Sequence, residues 1–185
     1  MQLRDKKVLL TGATGGIGKA LAVALLVQDC RVVLTGRNES TLKAMADDLN
    51  NKNVSTATLE LAADNMEAQV QAIMRLHPDI DIVMNCAGVN FFRGCDDESL
   101  DATAQLINVN LTAVIQLTQL MIPLLRQRPE AAVVNIGSTF GSIGYPGFTA
   151  YCASKFGLRG YTEALRRELA DTDIAVYYLA PRATV

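Results

Sequence analysis

Tyr151 and Lys155 stand four residues apart in the run Tyr-Cys-Ala-Ser-Lys, the spacing that places two side chains on one face of a helix. A phenol and an ammonium so placed can pass a proton to or from an oxygen of a bound molecule. A free tyrosine ionises only near pH 10. An ammonium about 4 Å away, at an effective dielectric of about 20, is worth about 4 kcal/mol. That attraction is expected to pull the phenol toward neutrality, where it serves as an acid in one direction and a base in the other. Alone, such a pair is an ordinary helix-surface contact worth a few tenths of a kcal/mol. Two further residues give it chemical meaning. Ser138 lies 13 residues before Tyr151, just past a strand-like run, where its hydroxyl can hold a carbonyl oxygen toward Tyr151. Asn110 sits inside a long helical stretch, between Val109 and Leu111, an odd place for a poor helix former. The set suits reduction of a carbonyl by hydride, which leaves an alkoxide that must be protonated.

A second cluster of residues supplies a place for a cofactor. The run 11–18, Thr-Gly-Ala-Thr-Gly-Gly-Ile-Gly, follows one apolar strand and opens a helix. Glycines there let the backbone turn tightly and approach a pyrophosphate, and the amides and dipole of the helix start favour negative charge. Gly12, Thr14, Gly15, Gly16, Ile17 and Gly18 are the expected contacts. The spacing is GxxxGxG, not the commoner GxGxxG. The second strand ends at Thr35-Gly36-Arg37. An acid at that point would bind the 2′-hydroxyl of NAD, and an arginine suits the 2′-phosphate of NADP. Arg37 offers a bidentate contact to phosphate, although a solvated loop arginine is the plainer alternative. The expectation is NADP(H) in preference to NAD(H).

These residues need elements to hold them. Short apolar runs at 8–10, 31–35, 54–61, 81–84, 132–136 and 175–179 read as strands. Helix-period segments at 16–28, 39–49, 66–76, 99–127 and 150–170 lie between them, the second introduced by Asn38 or Ser40 as a cap. Residues 88–97 and 137–148 read as loops. Strand and helix alternate throughout, which implies a parallel sheet with helices on both faces and right-handed crossovers. The fold class is α/β, a Rossmann-like doubly wound sheet of order 3-2-1-4-5-6, in one nucleotide-binding domain over residues 1–185. Ligands in such sheets bind beyond the carboxyl ends of the strands, and every motif above falls there.

Composition narrows the function classes. The chain has 185 residues, half of them apolar, and a net charge of −2 with no basic stripe, so nucleic acid is not an expected partner. Cys30, Cys86, Cys95 and Cys152 form no CxxC pair, and His77 is the one histidine. No metal site is expected, and the cysteines read as buried free thiols in a reducing cytosol. The start of the chain has no signal-like apolar core. The longest apolar stretch, 111–125, is interrupted by Thr112, Gln116, Thr118, Gln119 and Pro123 and reads as too short and too polar to span a bilayer. A cytoplasmic protein without a membrane partner is expected.

Together the motifs resemble the short-chain dehydrogenase/reductase family, over essentially the whole of residues 8–185. The run 11–18 matches that family's TGxxxGxG. Asn85-Cys86-Ala87-Gly88 is similar to its NNAG, with Cys86 in place of the second Asn. Asn110, Ser138, Tyr151 and Lys155 each match one member of its Asn-Ser-Tyr-Lys tetrad. The resemblance implies that Asn85, Ala87 and Gly88 lie near the adenosine ribose and brace the central sheet. It implies that Tyr151 and Lys155 also touch the cofactor, with Lys155 on the nicotinamide ribose, and that Asn110 supports a water-linked proton relay. Pro181 would meet the nicotinamide, although Arg182 replaces the usual Gly, and the family's carboxamide-binding Thr would fall just past residue 185 rather than at Thr184. The acid that the family places near the adenine would be Glu60 or Asp64. Helices 99–127 and 150–170 would form a homodimer or homotetramer interface. Family members continue through a substrate-covering loop, a helix and a seventh strand, which is missing here, so this form is expected to be less active or less stable than a longer one.

The leading expectation is an NADPH-dependent oxidoreductase acting on a small-molecule carbonyl or alcohol. Two others stand beside it: a catalytically incompetent nucleotide-binding or scaffold protein of the same fold, and an oligomerisation module. Phe91, Phe92, Phe140, Ile143 and Tyr145 either line an apolar pocket or serve as core or lid packing.

Overall fold

Side chains alternate across a strand, and in this chain the alternation divides the core in two. The computed structural model describes residues 1–182. Its strands are β1 (Lys7–Leu10), β2 (Arg31–Gly36), β3 (Val54–Thr58), β4 (Ile82–Asn85), β5 (Ala131–Ile136) and β6 (Ile174–Leu179). They pair in parallel in the order β3-β2-β1-β4-β5-β6, the expected doubly wound arrangement. Leu9, Val33, Val83, Val133 and Val176 point to one face. There they meet α3 (Met66–Leu76), α5 (Ala113–Leu125) and α6 (Thr149–Glu168) through Val70, Leu117, Met121 and Leu165. Val8, Leu10, Val32, Leu34, Ile82 and Met84 point to the other face. They pack on α1 (Gly16–Val27) and α2 (Glu39–Leu49) through Ala22, Leu25, Leu42 and Met45. Strands buried on both faces are near-continuous apolar runs for this reason.

Three local outcomes differ from the sequence reading. The third strand stops at Thr58 rather than at residue 61. Leu59 still donates its N–H to the Gly36 carbonyl at 3.0 Å, but the next amide, of Glu60, is taken by the Gln69 side chain at 2.9 Å. The helix over 99–127 is not one α-helix. It runs as α4 (Leu100–Ile107), a π-helical turn (Asn108–Thr112) and α5, with Ser99 accepting from the Ala102 amide as the cap. A π-turn is wider by one residue and re-aims the side chains within it; Asn110 is at its centre. Taken whole, Leu100–Leu125 is also long and apolar enough, by length and composition, to cross a membrane. The expectation for 111–125 counted only part of this continuous helix. Its buried side chains, among them Leu117 and Met121, pack on the sheet.

Asn38 is the residue that caps α2, accepting from the Thr41 amide at 2.9 Å. The four cysteines are free. Cys30 and Cys152 are buried as expected, Cys86 is half-buried, and Cys95 is exposed on the loop after β4.

Candidate active site

At the carboxyl end of β1 the chain turns through Gly12, whose φ is +64°, a conformation that favours glycine. A Cβ on Gly12 would also lie 2.6 Å from the Ala87 Cα, and one on Gly18 would collide with the Gly12 carbonyl. These two glycines are required by the protein itself: the turn, the loop after β4 and α1 are in backbone contact. Gly16 is different. A Cβ there would meet nothing within 4 Å, and Gly16 lines the cleft. Gly15 caps α1 without a side-chain bond, so the first-turn amides of α1 are left for whatever enters.

The cleft has a volume of about 510 Å³ and is walled by Gly12, Thr14, Gly15, Gly16, Ile17, Gly18, Arg37, Ala87 and Gly88. Nine of the residues expected at a cofactor thus share one cavity. Thr11, Thr35, Leu59, Leu61, Cys86, Gln105 and Val109 also line it, and sequence reasoning singled out none of them for contact. Thr11 ties the glycine turn to the loop after β4, because its hydroxyl accepts from the amides of Cys86 and Ala87 at 3.0 and 3.1 Å. Arg37 is exposed at the mouth and, among the described residues, belongs to no ion pair. Glu60 and Asp64 are both exposed and neither is on the wall, which is formed there by Leu59 and Leu61.

Four expected contacts are not on the cleft wall: Tyr151 and Lys155, described below, and Asn85 and Pro181. Asn85 is buried, with its side-chain amide donating to Asn135 Oδ1 at 2.8 Å and Thr118 Oγ1 at 3.3 Å. It joins β4, β5 and α5 and does not wall the cleft. β-strand alternation explains this, since Asn85 follows Met84 on the opposite face of the sheet and Cys86 lies on the wall. Pro181 is off the wall too; its carbonyl accepts from the Thr139 amide at 3.3 Å. Thr184 lies outside the described residues.

The four proton-transfer candidates come from three elements. Asn110, fully buried in the π-turn, pairs with the Val89 backbone as a strand would. Its Oδ1 accepts from the Val89 amide and its Nδ2 donates to the Val89 carbonyl, both at 2.8 Å. Nδ2 is also 3.3 Å from Ser154 Oγ. Asn110 therefore staples the loop after β4 to α6. Lys155, 5% exposed, donates to the Ile136 carbonyl at 3.0 Å. The site meets the cleft at Gly88, where a Cβ would stand 3.3 Å from Asn110 Oδ1 and 3.8 Å from Lys155 Nζ. Ser138 closes β5. Its Oγ accepts from the Phe140 amide at 3.1 Å and starts a single 3₁₀ turn, an arrangement that leaves the hydroxyl hydrogen free to donate.

The electrostatics differ from the sequence expectation. Lys155 Nζ is 5.7 Å from the centre of the Tyr151 ring, and burial raises the Tyr151 phenol above its ordinary value. Ser138 opposes that rise, and Tyr178 and Cys152 add to it. Burial likewise lowers Lys155 to about 8, with Cys86 opposing, and pushes the Cys86 thiol up to about 11 against the pull of Lys155. Desolvation disfavours each charged form, and in the free protein it outweighs the attraction expected from helical spacing. The phenol thus carries its proton at neutral pH.

Beside the phenol is a group of aromatic rings. Phe140 and Phe148 approach the Tyr151 ring at 6.4 and 6.2 Å between centres. Tyr145 stacks on Phe140 at 5.1 Å, and Phe92 reaches Phe148 at 5.1 Å from the loop after β4. Phe91 instead lies under Arg93, and Ile143 is exposed.

Comparison with known proteins agrees with this geometry. The sequence model of the short chain dehydrogenase family matches residues 6–185. The NADP-dependent 3-hydroxy acid dehydrogenase of Schizosaccharomyces pombe is 30% identical over 188 residues, covering 97% of this chain and 72% of that protein. The dehydrogenase/reductase SDR family protein 7-like of Anopheles gambiae is 30% identical, and the chain spans 59% of its length. Among solved structures, a short chain dehydrogenase/reductase from Burkholderia phymatum in complex with NAD superposes with a TM-score of 0.90 at 25% identity, over 98% of this chain and 67% of that one. The chain belongs to the short-chain dehydrogenase/reductase family.

Proposed function

We propose that the protein is an oxidoreductase that exchanges a hydride between NADP(H) and a carbonyl or alcohol substrate, with Tyr151 as general acid and base. The observation that carries this reading is the junction at Gly88, where Lys155 and Asn110 abut the glycine-lined cleft. The space left at Gly16 and the uncapped amides of α1 suit a pyrophosphate. When bound, the nicotinamide supplies the hydride. Ser138 donates its free hydroxyl hydrogen to the substrate oxygen and stabilises the charge that develops there. Tyr151 then gives its proton to that oxygen; the nearness of Lys155 favours the transfer, and burial of the phenol, which raises it, opposes the transfer. Lys155 holds the ribose side of the cofactor, and Asn110 keeps the Val89 backbone in place. Asn110 is a positioning residue in this scheme.

Arg37 at the end of β2, with no carboxylate on the cleft wall nearby, supports preference for the 2′-phosphate of NADP. The relatives are mixed: one is named for NADP and one solved structure holds NAD. The rings around Tyr151 favour a substrate whose carbonyl carries apolar groups. The reading extends to a single nucleotide-binding domain, a cytoplasmic setting and self-association through residues 99–127 and 150–170, where Phe156 is 46% exposed.

The test is titration with NADPH followed by a panel of carbonyl compounds. Tight NADPH binding and oxidation of NADPH by at least one ketone are expected. Binding with no turnover of any compound would favour a nucleotide-binding scaffold instead, and absence of binding would reject the cleft as a cofactor site.

A further inference from the structure

Ser138 is useful only if its hydroxyl is aimed, and one residue on the neighbouring strand controls the serine's backbone. Tyr178 stands on β6 opposite Asn135 of β5. Its ring crosses beneath the turn that follows β5. There the phenol donates to the Ser138 carbonyl and accepts from the Ser138 amide, each at 3.3 Å. Two glycines make room for it. A Cβ on Gly137 would collide with the Tyr178 ring, and a Cβ on Gly141 with its hydroxyl. Gly137 and Gly141 have no positive φ, so neither is explained by turn geometry; the Tyr178 side chain excludes a Cβ at both, and at Gly141 the Lys155 backbone carbonyl, 2.9 Å from such a Cβ, excludes it as well. The backbone of Ser138 between them is fully extended, at φ −162° and ψ 159°. Gly137 and Thr139 on either side donate to the Leu179 and Pro181 carbonyls, whereas the N–H and C=O of the serine between them are both bonded by the phenol.

We propose that Tyr178 is the positioning residue for Ser138, clamping the serine's N–H and C=O so that its hydroxyl is presented to the substrate oxygen. The consequence for turnover rests on the hydride-transfer reading above; the clamp itself does not. Burial keeps the Tyr178 phenol above its ordinary value, with the Ser138 backbone contact and Arg159 opposing, so it remains a neutral group able to donate and accept together. A misplaced serine weakens transition-state hydrogen bonding without touching the nucleotide cleft, since the clamp and Gly16 lie on different elements.

Tyr178→Phe keeps the ring that the two glycines accommodate and removes both hydrogen bonds. Its kcat is expected to fall about tenfold, with the Kd for NADPH unchanged. In a Ser138→Ala background, the same change is expected to alter kcat less than about twofold, because residues acting as a unit are not additive. A tenfold fall in both backgrounds would overturn the proposal, since it would mark a merely structural effect. A second measurement needs no turnover. Amide exchange over residues 138–141 is expected to speed at least about tenfold in Tyr178→Phe, with β5 amides unchanged; unaltered exchange at 138–141 would overturn the clamp. If the parent protein turned over no carbonyl, the hydride reading would fail and the exchange result alone would decide the clamp.

Discussion

The two ends of the sheet treat charge in opposite ways. At the amino ends of the strands, cations are matched with carboxylates. Asp79 bonds both Lys7 and Arg31, Asp81 holds Arg128 at 3.0 Å, and Glu130 accepts Lys6. At the carboxyl ends, Lys155 is buried with a carbonyl for a partner, and Arg37 belongs to no ion pair among the described residues. Asp79 shows the cost and remedy in one group. Burial alone would raise its carboxyl, and Lys7 with Arg31 hold it down at about 2. Lys155 has no such remedy, and burial lowers it to about 8. An unmatched buried cation such as Lys155 destabilises a fold, whereas the exposed Arg37 stays solvated. On the proposed function, the amino end serves stability and the carboxyl end serves chemistry.

Mutations at the two ends should therefore separate function from stability. The largest effect is expected at Tyr151. Tyr151→Phe should lower kcat by about 10²–10⁴, the usual worth of a positioned acid, while NADPH affinity and thermal midpoint stay as they are. Steady-state kinetics with a fluorescence titration measure both. Retention of most activity would remove Tyr151 from its role.

Lys155→Met comes next, and its two effects run in opposite directions. At about 1.4 kcal/mol per pH unit of displacement, burying the ammonium destabilises the fold by about 3 kcal/mol. Below pH 8 that penalty is complete. As pH rises from about 8 to the ordinary lysine value of 10.5, the unfolded chain holds the proton that the folded one has released, and stability increases. The variant should be more stable than the parent at pH 7, lack this rise, and bind NADPH poorly. Denaturant melts across that range test it; a less stable variant at pH 7 would break the contrast between the two ends.

Arg37→Ala should weaken NADPH about 10- to 100-fold, as loss of a charge-assisted phosphate contact does, and leave NADH nearly unaffected. Equal losses would reject the 2′-phosphate role. The smallest effect belongs to the amino end. Asp79→Asn should cost about 1 kcal/mol near neutrality after allowance for solvent screening, with kcat unchanged. The Asp79 carboxyl is depressed in the folded protein, so its contribution is present above the ordinary carboxylate range and disappears as pH falls through about 2. Parent and variant melts should therefore converge in strong acid.

Much of this contrast could be read from the residues. Apolar runs such as Val8-Leu9-Leu10, alternating with helix-period segments, implied the sheet and its order. Gly12 and Gly18 announced a tight turn because its requirements are local: a positive φ at Gly12 and close approach of Gly18 to the Gly12 carbonyl six residues back. Asn110 was visible as an anomaly, a poor helix former in mid-helix, and the π-turn with its Val89 staple is the physical reason. What escaped depended on contacts between distant segments. The Gln69 side chain that ends β3, the inward turn of Asn85 toward Thr118 and Asn135, and the Ile136 carbonyl that receives Lys155 leave no mark on local pattern. The sign of the Tyr151 displacement escaped for the same reason. Helical spacing states that Lys155 is near, and only the folded environment states how much water both groups lose.

Hydride transfer at the Gly88 junction is tested most directly by isotope. NADPH deuterated at the transferring position is supplied together with a ketone, and the alcohol is analysed by mass spectrometry. One deuterium is expected on the carbinol carbon with the parent protein and almost none with Tyr151→Phe, although both bind the nucleotide. A parent protein that binds NADPH and yields no labelled alcohol from any ketone, or a Tyr151→Phe variant that yields as much as the parent, would contradict the assignment.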